Sequence, residues 1–123
     1  MNEFGGVVPI LNVRDMAASM DYYVNKLGFE KLWDWGEPPT FGCVRRGKVQ
    51  IFLCENGQGQ SGTWMSIFMD DVDALYEEYK QSGAIIRAAP KNYPWETREM
   101  RVEDLDGHTF RMSGEATGPS DFD

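Results

Sequence analysis

Tryptophan side chains are the residues of this sequence best suited to binding chemistry. Trp33 and Trp35 flank Asp34 in a stretch typical of a strand, so both indoles would lie on the same face. Flat aromatic walls bind heteroaromatic or cationic groups through stacking and cation–π attraction, worth roughly 0.5–2 kcal/mol each. The nearby carboxylates of Asp34, Glu37 and Glu96 would favour positive charge. The pattern predicts a binding surface for a cationic aromatic molecule.

Other rings extend this candidate surface. Tyr93-Pro94-Trp95, at the junction of a loop and a strand, would form a rigid aromatic lip, and binding residues favour loops on a rigid scaffold. An interface role for this lip is the alternative. The rings could instead belong to the hydrophobic core, which is the interpretation we favour for Phe41 and Phe68. The candidate ligand-binding residues are Trp33, Trp35, Asp34, Phe41, Phe52, Trp64, Tyr93, Trp95 and Arg111.

Acid–base chemistry has fewer candidates. The sequence has a single histidine, His108, which is either a base or ligand or, as we favour, a structural residue where a turn enters a strand. Glu99, Glu103 or Asp34 could act as a general base if burial raised its pKa. We assign no catalytic residue.

Two similar runs of elements would position these residues. In the first half, strand "GVVPILNV" begins irregularly or lies at a sheet edge, because Pro9 cannot donate a ladder hydrogen bond. Asp15 is a good N-cap for a helix that ends at Gly28. The inward face of this helix would carry Met16, Met20, Tyr23, Val24 and Leu27. Strands then begin at Phe29, Thr40 and Lys48, with a tight turn at Arg46-Gly47.

The second half repeats this order. A strand over 63–69 precedes a helix that is capped by Asp70 or Asp71 and ended by Gly83. Val72, Leu75, Tyr76 and Tyr79 would face inward. Three more strands follow: "AIIRAA", "TREMRVED" and, after the turn Asp104-Leu105-Asp106-Gly107, "HTFRMS".

The order is therefore βαβββ, twice. We predict an α+β fold in which two tandem βαβββ modules form curved mixed sheets around a cleft. The single domain, 1–123, would consist of module one (6–55), a glycine-rich linker (56–62), module two (63–114) and a polar, frayed tail (115–123).

The cysteines give no disulfide framework. A hairpin about Arg46-Gly47 would place Cys43 opposite Gln50, four residues from Cys54, which is too far for a bridge. Reduced thiols in a cytoplasmic protein are the better interpretation.

Charge and length exclude several classes of protein. The 123 residues carry 20 acidic and 12 basic side chains, for a net charge of −8. Phosphate backbones would be repelled, so nucleic acid is not an expected partner, whereas a cationic partner is favoured. Solubility is the simpler explanation of the acidic excess. No apolar run is long enough to span a membrane, and no signal peptide is visible.

The stretches "VPILNVRDMAASMDYYVNKLGFE" and "EDLDGHTFRM" carry a family resemblance. The first resembles the opening of the glyoxalase/bleomycin-resistance/dioxygenase (vicinal-oxygen-chelate) superfamily, and the second its frequent Asp-Pro-Asp-Gly-His segment. Pro9, Leu27-Gly28-Phe29 and Pro94-Trp95 resemble the bleomycin-resistance proteins in particular. Those relatives lack metal, act by sequestration and are typically dimers with an exchanged N-terminal strand.

Metal enzymes of this superfamily hold a divalent ion at four inward strand positions. By the resemblance, these are Val8, Ile51 or Phe52, Trp64 and Arg111 here. None of these side chains, nor neighbours Pro9, Met65 and Phe110, is a usual ligand. We therefore expect no metal and no cofactor.

The sequence and the resemblance together favour a metal-independent binding protein that sequesters a cationic aromatic antibiotic or natural product. The resemblance implies a homodimer, in which the N-terminal strand is exchanged if the likeness extends to that segment. The alternatives are a lyase, isomerase or transferase of the same fold acting on a small oxygenated substrate, and a domain that only dimerises or serves a partner.

Overall fold

The computed structural model describes residues 2–122 and contains two βαβββ modules in sequence. In the first module, β1 (Ile10–Val13) and α1 (Met16–Asn25) precede β2 (Glu30–Gly36), β3 (Pro39–Arg46) and β4 (Val49–Glu55). In the second, β5 (Trp64–Phe68) and α2 (Val72–Ser82) precede β6 (Ile85–Asn92), β7 (Thr97–Glu103) and β8 (Thr109–Glu115). The predicted α+β fold and element order are confirmed.

Each module forms one mixed four-stranded sheet. The strand orders are β1-β4-β3-β2 in the first sheet and β5-β8-β7-β6 in the second. The strand that leads into the helix pairs in parallel with the last strand of its module, and the other pairs are antiparallel. β1 begins directly after Pro9 and lies at a sheet edge, as the missing donor predicts.

The helices begin at the predicted caps. The side chain of Asp15 accepts a hydrogen bond from the Ala18 amide, and that of Asp71 accepts one from the Ala74 amide. At the end of α2, Gly83 adopts a left-handed conformation at φ 86°, which a residue with a side chain rarely adopts. Each helix packs on the sheet of its own module.

The two modules share one hydrophobic core on the helix-bearing sides of the sheets. Tyr23 lies at its centre and makes edge-to-face contacts with Phe29 and Phe110, which belong to different modules. The Tyr79 hydroxyl donates to the Leu27 carbonyl oxygen at 2.7 Å across the same boundary. The face of each sheet turned away from its helix, called here the open face, carries the other set of alternating side chains.

Three local expectations were wrong. The hairpin turn lies at Gly47–Lys48 instead of Arg46-Gly47, so Cys43 pairs with Phe52 and not with Gln50. Both cysteines are nevertheless free. Phe41 and Phe68 both lie outside the core where we expected them: Phe41 is half-buried against Trp33 and Phe52, and Phe68 is 79% exposed on an edge strand.

The tail is the third difference, because it makes defined contacts where we expected fraying. The Asp121 amide donates to the Asn92 carbonyl oxygen, and the Asn92 amide donates to the Asp121 carboxylate, both at 2.8 Å or less. Phe122 stacks on Tyr93 with a centroid separation of 4.7 Å. The tail therefore packs against the end of β6. Among residues 2–122, no helix is long and apolar enough to cross a membrane.

Candidate ligand-binding site

The open face of the first sheet carries a cluster of three aromatic rings. Trp33, Phe41 and Phe52 come from β2, β3 and β4, and their ring centroids lie 5.4–5.8 Å apart. The pairings Trp33 with Cys43 and Cys43 with Phe52 place these positions side by side on one face. The Trp33 and Phe41 rings are nearly parallel. The cluster presents a continuous aromatic surface.

A recess beside this cluster combines aromatic and acidic groups. Trp33 and Trp35 both line it, as their spacing predicted, and Trp35 is 71% exposed. Asp34 and Glu55 also border it, but both carboxylates have partners on the helix-bearing side of the sheet: Asp34 forms an ion pair with Lys31 at 3.1 Å, and Glu55 accepts a hydrogen bond from the Met16 amide at 2.8 Å. The first-sheet recess is therefore mainly aromatic and suited to a flat group, including one with positive charge that can lie over the indole rings.

A second recess lies on the open face of the second sheet. Its lining consists of Trp64, Tyr93, Trp95, Glu99, Arg101 and Arg111. Tyr93 stacks between Trp95 and Phe122, with centroid separations of 5.0 and 4.7 Å. This three-ring stack forms the aromatic lip. Tyr93 and Trp95 were predicted from the sequence as part of the lip, and Phe122 was not.

Glu99 is the buried charge of the second recess. Its carboxylate accepts hydrogen bonds from the Trp95 indole at 2.8 Å, the Thr97 hydroxyl at 2.6 Å and the Arg111 guanidinium at 2.9–3.2 Å. Burial raises the pKa of this carboxyl, but the hydrogen bonds from Thr97, Trp95 and Arg111 outweigh it, so the pKa lies below its ordinary value. Glu99 is therefore an ionised group that holds Arg111 in place.

His108 has the structural role that we favoured. The imidazole is fully buried at the start of β8. Its Nδ1 accepts from the Thr63 amide at 3.1 Å, which leaves the hydrogen on Nε2 to be donated to the Asn12 carbonyl oxygen at 2.8 Å. The ring thus ties the turn before β8 to β1 and to the start of β5, and neither nitrogen is free for chemistry.

The comparisons with known proteins agree with this architecture. Residues 5–112 match the model of the Glyoxalase/Bleomycin resistance protein/Dioxygenase superfamily. The chain belongs to this superfamily. No curated protein sequence is significantly similar to it.

Several solved structures share the fold along nearly their whole length. TioX from Micromonospora sp. ML1 has a TM-score of 0.80 at 20% identity, with 90% of this chain and 99% of that chain covered. A superfamily member from Sphaerobacter thermophilus DSM 20745 has a TM-score of 0.75 at 27% identity, over 91% and 98%. The bleomycin-binding protein of Streptomyces verticillus, solved with copper(II)-bleomycin, has the same TM-score and identity, over 93% and 98%.

The superfamily's metal positions do not offer a donor set in this chain. Ile51 is fully buried in the core, so the ring of Phe52 occupies the open face at that position. Trp64 provides no metal-binding atom, and Arg111 is a cation held by Glu99. Within residues 2–122, no three His, Cys, Asp or Glu side chains cluster closely enough to hold an ion. These side chains do not fit a resident divalent metal.

The structure divides the candidate ligand-binding residues into two groups. Within residues 2–122, no ring contact joins the rings of the first sheet, Trp33, Phe41 and Phe52, to those of the second, Tyr93 and Trp95. The chain therefore presents two separate aromatic surfaces, one on each sheet.

Sequence reasoning missed three residues near the second recess. They are Arg101, which lines the recess, Lys91 and Phe122. Arg101 lies two residues after Glu99 on a strand, so alternation places both side chains on the same face, and this was the available signal. The place of Phe122 depends on the fold of the tail, for which the sequence gives no pattern.

Proposed function

We propose that this protein binds a small molecule with a flat aromatic ring system and holds it without changing bonds, as a sequestering, antibiotic-binding protein. The observation that carries the proposal is the three-ring cluster of Trp33, Phe41 and Phe52 beside the 71% exposed Trp35. A contiguous exposed apolar patch on a folded protein marks a surface that binds a ligand or another protein. Bleomycin, held by a relative of 27% identity, is the first compound to test.

The proposed site is a cleft between two copies of the chain. The open face of the second sheet also leaves large apolar side chains exposed, with Trp64 at 57%, Phe68 at 79% and Trp95 at 59%. We propose that the first sheet of one copy faces the second sheet of the other, so that a homodimer has two clefts. Phe4 and Val7, which precede β1 and are exposed, would cover the partner if the N-terminal segment crosses to it.

The first-sheet recess would receive a positively charged part of the ligand. Its indole rings offer cation–π contact, and the net charge of −8 would attract a cation over longer distances. Two free cysteines fit a reducing compartment such as the cytoplasm.

The enzymatic alternative requires a general base, and Glu99 does not suit that role. Glu99 would need a raised pKa to accept a proton near neutral pH, and its pKa is lowered instead. Asp34, a second candidate, is paired with Lys31 and lies at the exposed edge of a recess.

Isothermal titration calorimetry tests the proposal with metal-free bleomycin and a panel of cationic intercalating antibiotics at up to roughly 100 μM. At least one compound should bind, and Trp33→Ala should weaken its affinity about tenfold or more because a stacking wall is lost. Tyr76→Leu, which removes a ring on α2 outside both recesses, is the matched control and should bind normally. Absence of heat with every compound would contradict the proposal.

A further inference from the structure

The second-sheet recess presents hydrogen-bond donors to a ligand and has no free carboxylate. Glu99 is its acidic group, and its side chain is only 5% exposed. Both Glu99 oxygens already accept hydrogen bonds from Trp95, Thr97 and Arg111, which fills the capacity of a carboxylate. A ligand group entering this recess therefore meets no anion that could accept its hydrogen bonds.

Two arginines lie directly opposite each other at this recess. Arg101 on β7 pairs with Arg111 on β8 in the antiparallel register. Like charges at such positions repel each other, because their Cβ atoms are only about 5 Å apart. Glu99 compensates Arg111, whereas Arg101 is exposed and makes no hydrogen bond or ion pair with any side chain between residues 2 and 122. The recess thus has one more positive charge than its own groups neutralise.

Neighbouring charges do not remove this excess. Glu103, the next acidic residue on the open face of β7, forms an ion pair with Arg87 at 3.1 Å. Lys91 lies across from Glu99 in the register, with its ammonium 5.6 Å from the centre of the Phe122 ring. The local charge of the second recess is therefore opposite in sign to the net charge of −8 of the whole chain.

We propose that Arg101 and Arg111 bind an oxyanion of the ligand, namely a carboxylate, sulfate or phosphate group, while Trp64 and the Tyr93–Trp95 stack contact its rings. A guanidinium that has no side-chain partner among residues 2–122 suits planar, bidentate recognition of such a group. This inference rests on the proposed function and specifies its ligand class: an aromatic molecule with an acidic group at the second sheet and a basic group at the first. Arg101 is thus a specificity-determining residue.

A pair of fluorescent probes that differ by one sulfonate tests the inference. N-phenylnaphthylamine is neutral, and anilinonaphthalene sulfonate adds the anion to the same ring system. Fluorescence titrations would be made with the full chain, Arg101→Gln, Trp64→Ala and Lys48→Gln. The last removes the same charge from a hairpin turn remote from the recess and serves as the matched control. Thermal melting checks that Arg101→Gln, a change at an exposed side chain, leaves the fold intact.

We expect the sulfonate to bind about tenfold more tightly than the neutral probe, with a preference that weakens as salt is added. Arg101→Gln should abolish the preference without changing affinity for the neutral probe, and Lys48→Gln should change neither. Equal affinities in the wild-type protein, or a preference that survives in Arg101→Gln, would overturn the inference. If Trp64→Ala still weakens the neutral probe in that case, the proposed function stands; if Trp64→Ala affects neither probe, the proposed function fails with it.

Discussion

At the scale of single residues, the Glu99–Arg111 ion pair is the charged contact at the centre of the second recess. The two side chains meet at 2.9 Å, with Glu99 buried and Arg111 40% exposed. Arg111 stands at one of the superfamily's metal positions, and its ion pair with Glu99 makes that position a hydrogen-bonding site. Its energetic role can be separated from ligand binding by measuring stability.

Replacing Arg111 with Gln should destabilise the protein by about 1–3 kcal/mol at neutral pH, because the buried Glu99 carboxylate loses its cation. The estimate is below that for a fully buried pair, since the Arg111 side chain is 40% exposed. Urea denaturation measures the change. Arg45→Gln breaks the solvent-exposed pair with Glu30 and should cost less than about 0.5 kcal/mol; equal losses in the two variants would contradict this role of Glu99.

The stabilisation that depends on ionised Glu99 should disappear in acid. Its pKa is lower in the folded protein than the ordinary value of 4.5, so the contribution is complete above that value and is lost as the pH falls through the folded pKa. The difference in unfolding free energy between wild type and Glu99→Gln should therefore shrink as the pH falls below 4.5. Burial raises the pKa of Asp104, which gives the stability of both proteins the opposite pH dependence. Comparing the two proteins cancels this effect. A difference that stays constant with pH would refute the lowered pKa.

At the scale of helices and strands, most of the fold was predictable from local pattern. Asp15, Asp71 and Gly83 mark helix ends by chemistry that does not depend on distant residues. The repeated βαβββ order and the linker between the repeats then predicted the two modules. Alternation along β2 correctly placed Trp33 and Trp35 on one face.

The errors arose where the pairing of neighbouring strands determines register and burial. A shift of the hairpin turn by one residue changed the partner of Cys43 from Gln50 to Phe52. Phe68 has a core-like residue type, and its exposure follows from its place on the open face of the second sheet. The recess lined by Trp64, Tyr93 and Trp95 depends on the strand order β5-β8-β7-β6, which no local pattern contains.

The junction of β1, β5 and β8 should depend on His108. Replacing it with Ala should cost about 2–4 kcal/mol, because a buried ring is removed and the Thr63 amide and Asn12 carbonyl lose their partner. Chemical denaturation measures this loss. Lys48→Ala changes an exposed turn residue of the other module and should cost less than about 0.5 kcal/mol. A His108→Ala protein as stable as wild type would disprove the structural role.

At the scale of the whole molecule, the two open faces should make the protein a dimer. Sedimentation velocity should show a particle of twice the 14.0 kDa chain mass. Phe68→Asp should shift the equilibrium to the monomer, because a charge would be buried where an exposed ring now makes the contact. Leu105→Asp, at an exposed apolar residue of the turn before β8, should remain dimeric. A wild-type chain that is monomeric at micromolar concentration would contradict the shared cleft.

We propose that the ligand binds between the first sheet of one copy and the second sheet of another. The most direct measurement is N-phenylnaphthylamine binding to Trp33→Ala, to Trp64→Ala and to the two variants unfolded and refolded together. Each variant alone damages every cleft, whereas a mixed dimer has one cleft with both walls intact, so random pairing should restore about one quarter of the sites. Binding in the mixture that does not exceed that of the separate variants would contradict a site shared between two copies.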